Sequence, residues 1–262
     1  MSVSPLAGAR GFVFDLDGCV WNGNQLNPGA LETLAALDRA GQGIAFLTNN
    51  SRATGADVLG RLHELGVTFA RHALTPLEII GQVITERWGR SRVLVMGADE
   101  MAAVIVAAGH EVIEIERWRE ASVVAVGNDF DLTYERLTAA CRAAARGAPL
   151  ITPNVDPRLP IEGGDFLPGC GAFVSAVAVV SFAVPVVVGK PEPPLFLMAL
   201  DRLGLPASAA VMVGDSLKSD IGGAVAVGMR AVLYAPDGAR ESAPAIAVVR
   251  SFAELARLAG LA

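Results

Sequence analysis

Short apolar runs alternate with longer segments of helical period along most of the chain. Runs rich in Val, Ile, Leu and Phe are typical of strands buried on both faces of a parallel sheet. They predict strands over residues 11–16, 44–47, 92–96, 122–126, 150–152, 184–188, 210–213 and 230–234. Helices are predicted over residues 28–40, 77–88, 100–108, 134–146, 172–182, 194–203, 217–227 and 252–258, with one more that ends near residue 65. This alternation predicts parallel sheets covered by helices.

Proline, glycine and hydroxyl residues mark the helix ends. Pro28 begins the first helix and Gly41 ends it, while Ser51 or Thr54 caps the second, which Gly66 ends. A segment rich in Pro, Gly and Asp, residues 152–169, is predicted to be a long loop of the kind that carries function.

One segment requires a test for membrane insertion. No charged residue lies between Asp165 and Lys190. A spanning helix needs about 20 continuous apolar residues, and Pro185, Gly169 and Gly171 interrupt this run. A buried helix over 172–182 followed by a buried strand over 184–188 is the preferred interpretation.

Composition narrows the class of protein. The chain has 262 residues, of which 52% are apolar, so it can fill a substantial core. A formal charge of −6, with no basic run, argues against a nucleic-acid surface. The three cysteines show no CxxC spacing, which favours neither a disulfide framework nor a zinc site and indicates a reduced, cytoplasmic protein. The first residues lack the apolar stretch of a secretory signal.

Charged and hydroxyl side chains follow four of the apolar runs. They are Asp15 and Asp17, Thr48, Lys190, and Asp215 with Asp220. Ligands bind at the carboxyl ends of strands in open α/β sheets, so these side chains are expected to meet. Acids, a hydroxyl and an ammonium in one crevice suit a phosphate group beside Mg²⁺.

The spacing of the first two acids suggests a division of roles. Residues two apart in an extended segment share a face, so Asp15 and Asp17 can enter one crevice. One carboxylate can attack phosphorus while the other exchanges a proton with the leaving oxygen and with water. Gly18 permits the tight turn that follows.

Each of these residues also has an ordinary interpretation. Asp215 alone can cap a helix, Thr48 can belong to a strand, and Lys190 can be a solvated surface charge. Lys190 is not a P-loop lysine, because Val184 and Pro191 occupy positions that the motif reserves for Gly and for Ser or Thr. Only the joint placement at strand ends favours a site.

The motifs DLDGCVWNG, LTNNS, GKPEPP and GDSLKSDI, in this order, resemble those of the haloacid dehalogenase superfamily on its phosphatase side. The resemblance covers nearly the whole chain. It implies a Rossmann-like, doubly wound parallel core of α/β class with an inserted α/β cap of the C2 type. The insertion resembles the class IIA cap of NagD-like, p-nitrophenylphosphatase-like enzymes.

The motif residues lie only in the first and last parts of the chain, and the interval between Thr48 and Lys190 can hold a complete α/β domain. The predicted core therefore comprises residues 1–76 and 185–262, and the predicted cap residues 77–184.

The resemblance also implies roles for individual residues. Asp15 would be the nucleophile that forms an aspartyl phosphate, and Asp17 the general acid and base. Phosphate would be bound by Thr48, Asn49 and Lys190, and Mg²⁺ by Asp15, Asp17 through its backbone carbonyl, and Asp215. Asp220 is expected to act indirectly, by orienting Lys190 or a metal-bound water, and Ser216 is expected to support the site in the same way. Lys218 stands where many relatives carry an acid, which spares the metal ligands but adds positive charge at the rim.

Specificity is expected to come from the cap. Its candidate residues lie in the long loop: Asn154, Asp156, Arg158 and Glu162. Asp156 can equally initiate a turn, and Arg158 can form a surface ion pair. Cys170 admits a redox role, but a buried thiol is preferred.

The function indicated is hydrolysis of a small phosphorylated metabolite, such as a sugar phosphate, phosphoglycolate, glycerol phosphate, pyridoxal phosphate or nucleoside monophosphate. The alternatives are a signalling module phosphorylated on Asp15 without turnover, a phosphomutase, or a relative that binds without catalysis. Neither nucleic acid nor membrane is an expected partner. A homodimer through the cap would fit the family.

Overall fold

The computed structural model describes residues 5–160, 165–238 and 247–261. The strands are β1 Gly11–Asp15, β2 Trp21–Asn22, β3 Gln25–Leu26, β4 Gly43–Leu47, β5 Ala73–Leu74, β6 Arg92–Met96, β7 Glu111–Ile113, β8 Val123–Val126, β9 Leu150–Thr152, β10 Arg158–Pro160, β11 Phe166–Pro168, β12 Val186–Val187, β13 Ala210–Gly214, β14 Arg230–Tyr234 and β15 Ala247–Val249. The α-helices are α1 Ala30–Arg39, α2 Gly55–Glu64, α3 Pro76–Trp88, α4 Asp99–Ala107, α5 Tyr134–Ala145, α6 Cys170–Ser181, α7 Pro193–Leu203, α8 Gly223–Ala226 and α9 Phe252–Leu258.

The chain divides into two compact units. The first contains residues 1–48, 54–74 and 190–262, and the second contains residues 49–53 and 75–189. The second unit thus takes its main segment from one long insertion into the first.

The first unit is built on a six-stranded sheet. Its strand order is β15-β14-β13-β1-β4-β5, and every neighbouring pair is parallel. From β1 the chain adds β4 and β5 on one side and β13, β14 and β15 on the other, so the sheet is doubly wound. Its central strands are buried along their whole length, and α1 packs against α9 while α7 packs against α8. The predicted Rossmann-like α/β class is confirmed.

The second unit has its own parallel sheet, with the order β12-β9-β8-β6-β7. A cluster of buried apolar side chains from β6, β8, α5 and α6 forms its core. Val174 and Val177 supply the contribution of α6 to this cluster. The chain therefore contains two α/β units, each with its own sheet and its own core.

The strand before Lys190 differs from the expectation. Residues 184–188 were expected to be a buried strand of the core, but the strand formed is β12, which pairs with β9 of the second unit. It is only half-buried, and Val184 is 87% exposed. β12 lies at the edge of its sheet, where an apolar run need not be covered on both faces.

The uncharged segment between Asp165 and Lys190 also differs in part from its predicted structure. The predicted helix exists as α6, but only one of its faces is buried, since Val179 and Val180 are 74% and 59% exposed. Within the described residues, no helix combines the length and apolar character that crossing a bilayer requires.

Two local predictions were wrong. Residues 217–227 do not form one α-helix, because a π-helical turn over Leu217–Gly222 precedes α8. The loop over 152–169 contains β10 and β11, which pair as an antiparallel hairpin. Another hairpin, β2 with β3, was not predicted at all.

Candidate active site

The first acid stands at the centre of the larger sheet. Asp15 is the last residue of β1, whose register places Phe14 beside Val213 of β13 and Asp15 beside Leu47 of β4. Thr48 and Asp215 therefore follow the two strands that flank β1, at the same edge of the sheet. This edge is the point where the strand order reverses, which is the usual ligand site of a doubly wound fold.

Lys190 joins these residues from a different direction. It does not end a strand of the larger sheet, as the sequence suggested, but lies between β12 and α7. Its side chain is buried, and its Nζ donates to Asp15 and to Asp220 Oδ1, the latter at 2.7 Å. Burial would lower the pKa of Lys190, but the two carboxylates outweigh it and raise the pKa above its ordinary value.

Burial dominates the electrostatics of Asp15. It raises the pKa of Asp15 to about 8, helped by Asp220 and Asp215 and opposed by Lys190. The pKa of Asp215 is also raised, first by burial and then by Asp220. Crowded acids of this kind hold protons until a cation compensates their charge.

These carboxylates fit a divalent metal. One oxygen from each of Asp15, Asp215 and Asp220 lies within 4.8 Å of the others. Oxygen atoms from acids are the preferred ligands of Mg²⁺. Lys190 contacts Oδ1 of both Asp15 and Asp220, but Oδ2 of Asp220 also accepts from Ser216 N. Both oxygens of Asp220 are therefore engaged, which makes Asp15 and Asp215 the acids more available to an ion.

The π-helical turn explains how Asp220 reaches the site. Ser216 N donates to Asp220 Oδ2 at 3.0 Å, and Ser216 Oγ accepts from Ser219 N at 3.2 Å. Gly214 lies against Asp220, and a Cβ on Gly214 would stand 2.5 Å from Asp220 Oδ2. The buried Asp220 thus closes the turn and orients Lys190 at once, while Lys218 on the same turn is exposed.

Asp17 is exposed, but its carboxyl group is held on both sides. Thr48 Oγ1 donates to Oδ2 at 3.2 Å, and the indole Nε1 of Trp21 donates to Oδ1 at 2.8 Å. From the sequence alone, Trp21 is expected to be a packing or loop anchor near the entrance, and its contact with Asp17 is not predicted. The sequence does offer one signal for this contact. Trp21 lies only four residues after Asp17, and a buried indole N–H needs a hydrogen-bond acceptor nearby.

The remaining sequence candidates belong to the second unit. Asn154 is buried, and its side chain donates to Asn49 O at 2.7 Å and accepts from Asp156 N at 3.1 Å. Arg158 is exposed, with its guanidinium 4.1 Å from the ring centre of Phe166. The structure thus brings Asn49, Asn154 and Asp156 together. Glu162 lies outside the described residues.

Cys170 is a buried thiol, as the sequence favoured. Its Sγ lies 2.6 Å from Asn128 Oδ1 and 3.3 Å from Ser51 Oγ, all within the second unit. Burial raises the pKa of Cys170, which disfavours the reactive thiolate.

Comparison with known proteins agrees with this geometry. A family model described as haloacid dehalogenase-like hydrolase matches residues 12–111, and a related hydrolase-like model matches residues 187–255. The acid sugar phosphatase of Staphylococcus haemolyticus is 33% identical over 221 residues, which cover 84% of this chain and 82% of that protein. Chronophin from Mus musculus is 34% identical, with 82% and 77% covered.

A solved structure gives the same result. The crystal structure of 4-nitrophenylphosphatase from Thermotoga maritima superposes with a TM-score of 0.86 at 28% identity, over 97% of this chain and 99% of that one. The chain therefore belongs to the haloacid dehalogenase-like hydrolases. Within that family it is a phosphatase of the NagD-like group, with a class IIA cap.

Proposed function

We propose that the protein is a Mg²⁺-dependent phosphomonoesterase that acts on small phosphorylated metabolites through an aspartyl phosphate on Asp15. The single observation that carries this proposal is the convergence of Asp15, Asp215 and Asp220 around the buried ammonium of Lys190. A phosphate dianion needs positive charge around it, and a nucleophilic carboxylate must be near the same charge.

In the first step an oxygen of Asp15 attacks phosphorus. The Asp15–phosphorus bond forms, the ester bond breaks, and Asp17 gives a proton to the departing oxygen. In the second step Asp17 takes a proton from water, the water oxygen attacks phosphorus, and Asp15 is released with inorganic phosphate. Lys190 neutralises charge on the phosphoryl oxygens in both steps, and Asp220 keeps it in place.

Mg²⁺ would be held by Asp15, the backbone carbonyl of Asp17 and Asp215. When bound, the ion offsets the repulsion between these acids and the phosphate. Thr48 and Asn49 are proposed phosphate ligands. The hydroxyl of Thr48 already faces the Asp17 carboxyl group, which supports its place at the reacting centre.

For the substrate, the names of the relatives favour a sugar phosphate over the other candidates, since several are acid sugar phosphatases. We further propose that the second unit is the cap and presents specificity residues to the leaving group. Arg158 is exposed and stacked, which suits contact with a substrate. Both ends of the Asn154 side chain are used inside its own unit, which favours a structural role for it. A homodimer and a cytoplasmic location complete the proposal.

The test is phosphate release by the purified protein with Mg²⁺ from p-nitrophenyl phosphate and from a panel of phosphorylated metabolites. Asp15→Asn should abolish release, lowering kcat by at least about 10³-fold, because the amide of Asn cannot form the aspartyl phosphate. Asp201→Asn, on the exposed surface of α7, is the matched control and should retain activity.

Three results would contradict the proposal. Full activity of Asp15→Asn would show that Asp15 is not the nucleophile. A phosphoenzyme that persists for minutes without free phosphate would indicate a signalling module. Transfer of labelled phosphate between hydroxyl groups of one sugar, without release, would indicate a phosphomutase.

A further inference from the structure

The indole of Trp21 is aimed at the proposed general acid. Its Nε1 donates to Asp17 Oδ1 at 2.8 Å, Trp21 as a residue is only 3% exposed, and a β-bridge joins the same two residues. An indole N–H can donate but cannot accept. Oδ1 of Asp17 is therefore restricted to the role of acceptor in this contact.

The other carboxyl oxygen faces a partner of a different kind. Oδ2 of Asp17 lies 3.2 Å from Thr48 Oγ1. A hydroxyl can both donate and accept, so this contact survives whether or not Oδ2 carries a proton. A proton on Oδ1, in contrast, would compete with the indole for the same oxygen. The two oxygens are therefore not equivalent.

The ring of Trp21 is itself held in place. The guanidinium of Arg61, from α2, lies 4.5 Å from the centre of the ring. The same guanidinium donates to Asn24 Oδ1 at 3.0 Å and to the carbonyl of Gly23. Arg61 thus ties the hairpin of β2 and β3 to α2. This support is required because Asp17 is exposed and a free carboxyl group would rotate.

We propose that Trp21, supported by Arg61, is a positioning residue that holds the Asp17 carboxyl group with Oδ2 as the oxygen that gives its proton to the leaving group. This inference rests on the proposed function. The proton passes from Oδ2 to the ester oxygen as the phosphorus–oxygen bond breaks and the Asp15–phosphorus bond forms. An alkoxide needs this proton, whereas p-nitrophenolate leaves readily without it.

The experiment compares kcat/KM for two classes of leaving group in Trp21→Phe, which keeps an aromatic ring but loses the N–H. The substrates are p-nitrophenyl phosphate and whichever of glycerol phosphate or a sugar phosphate the wild type hydrolyses faster. We expect a fall of about 10-fold for the alkyl phosphate and less than about 2-fold for p-nitrophenyl phosphate. Arg61→Gln should show the same selective fall in kcat/KM for the alkyl phosphate, but a smaller one. Trp118→Phe, a tryptophan of the second unit that packs on a different core, is the matched control and should change neither value.

A uniform loss on both substrates, or no loss on either, would overturn the inference while the proposed function stands. A wild type that releases no phosphate from any substrate would overturn both. Thermal unfolding of Trp21→Phe checks that the fold is intact. If the variant is unstable, benzothienylalanine at position 21 replaces the N–H with sulfur at nearly constant shape, and it should give the same selective loss.

Discussion

At the scale of single residues, Lys190 shows how a buried positive charge is stabilised at the site. Lys190 is 4% exposed, and its ammonium is bonded to two carboxylates, from Asp15 and Asp220. A buried charge without partners is strongly unfavourable, so each member of this set stabilises the others. The arrangement keeps the ammonium fixed and charged before substrate arrives, which is the condition for electrostatic catalysis without reorganisation.

Glycine is required at position 18 because the carboxyl group of Asp215 lies against it. Its φ is +87°, and an added Cβ would collide with Asp215 Oδ2 and lie 3.0 Å from Asp215 Cγ. We expect Gly18→Ala to displace this carboxylate, to lower kcat/KM by about 10- to 100-fold and to raise the Mg²⁺ concentration needed for half-maximal rate. Measuring phosphate release against Mg²⁺ concentration tests this.

The control for Gly18 is Gly41→Ala. Gly41 has a similar φ of +73°, but an added Cβ would meet nothing within 4 Å. This variant should lose about 1 kcal/mol of stability from backbone strain and keep its activity. Equal losses of activity in both variants would show that strain, not the contact with Asp215, is responsible.

Most of the candidate residues could be identified from the sequence because they lie at or just after the ends of predicted strands. Asp15, Thr48 and Asp215 belong to this group, and parallel strands bring their carboxyl ends together. The contact between Trp21 and Asp17 could not be read in this way, because it depends on side-chain direction after a tight turn, which no hydrophobic period encodes. The hydrogen bond from Lys190 to Asp220 fits the expectation that Asp220 orients Lys190 or a metal-bound water.

At the scale of elements, the long regular strands and helices could be predicted, and among the short strands β9 could be but several others could not. β2, β3 and β5 contain two residues each, too few to show a period of alternation, and β12 is shorter than the strand expected over 184–188. The helix expected over 217–227 fails for a different reason. Its apolar pattern is helical, but the buried Asp220 bonds back to Ser216 N and widens the first turn into a π-helix.

The helix α6 offers a test of which apolar residues stabilise the second unit. Val177 is fully buried in the core of that unit, whereas Val179 is 74% exposed. Val177→Lys should lower the free energy of unfolding by about 3 kcal/mol or more, because an unpaired charge enters an apolar cluster. Val179→Lys is its matched control and should change stability by less than about 0.5 kcal/mol.

Urea unfolding monitored by tryptophan emission measures both effects, since Trp118 packs against the same cluster as Val177. A large loss of stability in Val179→Lys would mean that the outer face of α6 is covered in solution.

At the scale of the whole molecule, the order of motifs along the chain indicated an insertion, but not its margins. The motif residues Asp15, Thr48 and Lys190 all lie in the first unit, as a shared site requires. The short segment 49–53 and the strand β12 belong to the second unit. A division of this kind depends on long-range pairing, such as β12 with β9, that local composition does not reveal.

The metal and the fold are coupled through Asp15. Burial raises its pKa to about 8 from an ordinary value of 3.8. Between these pH values the folded protein keeps a proton that the unfolded chain releases, so the free energy of unfolding falls as pH rises from about 4 to about 8. Mg²⁺ binds the ionised carboxylate, so its stabilising effect should grow over the same range.

Thermal unfolding at pH 5 and pH 8, each with excess MgCl₂ or with EDTA, measures this coupling. We expect the rise in Tm produced by Mg²⁺ to be larger at pH 8, by several degrees, since roughly 1 kcal/mol shifts Tm by about 2–4 °C in a chain of this size. In Asp15→Asn, the rise in Tm produced by Mg²⁺ should be nearly the same at the two pH values, because an amide neither binds the proton nor offers a negative charge to the ion. Asp201→Asn should preserve it. An equal effect of Mg²⁺ at both pH values in the wild type would mean that the ion binds without displacing a proton from Asp15, and the burial of that carboxylate would then need another source of compensation.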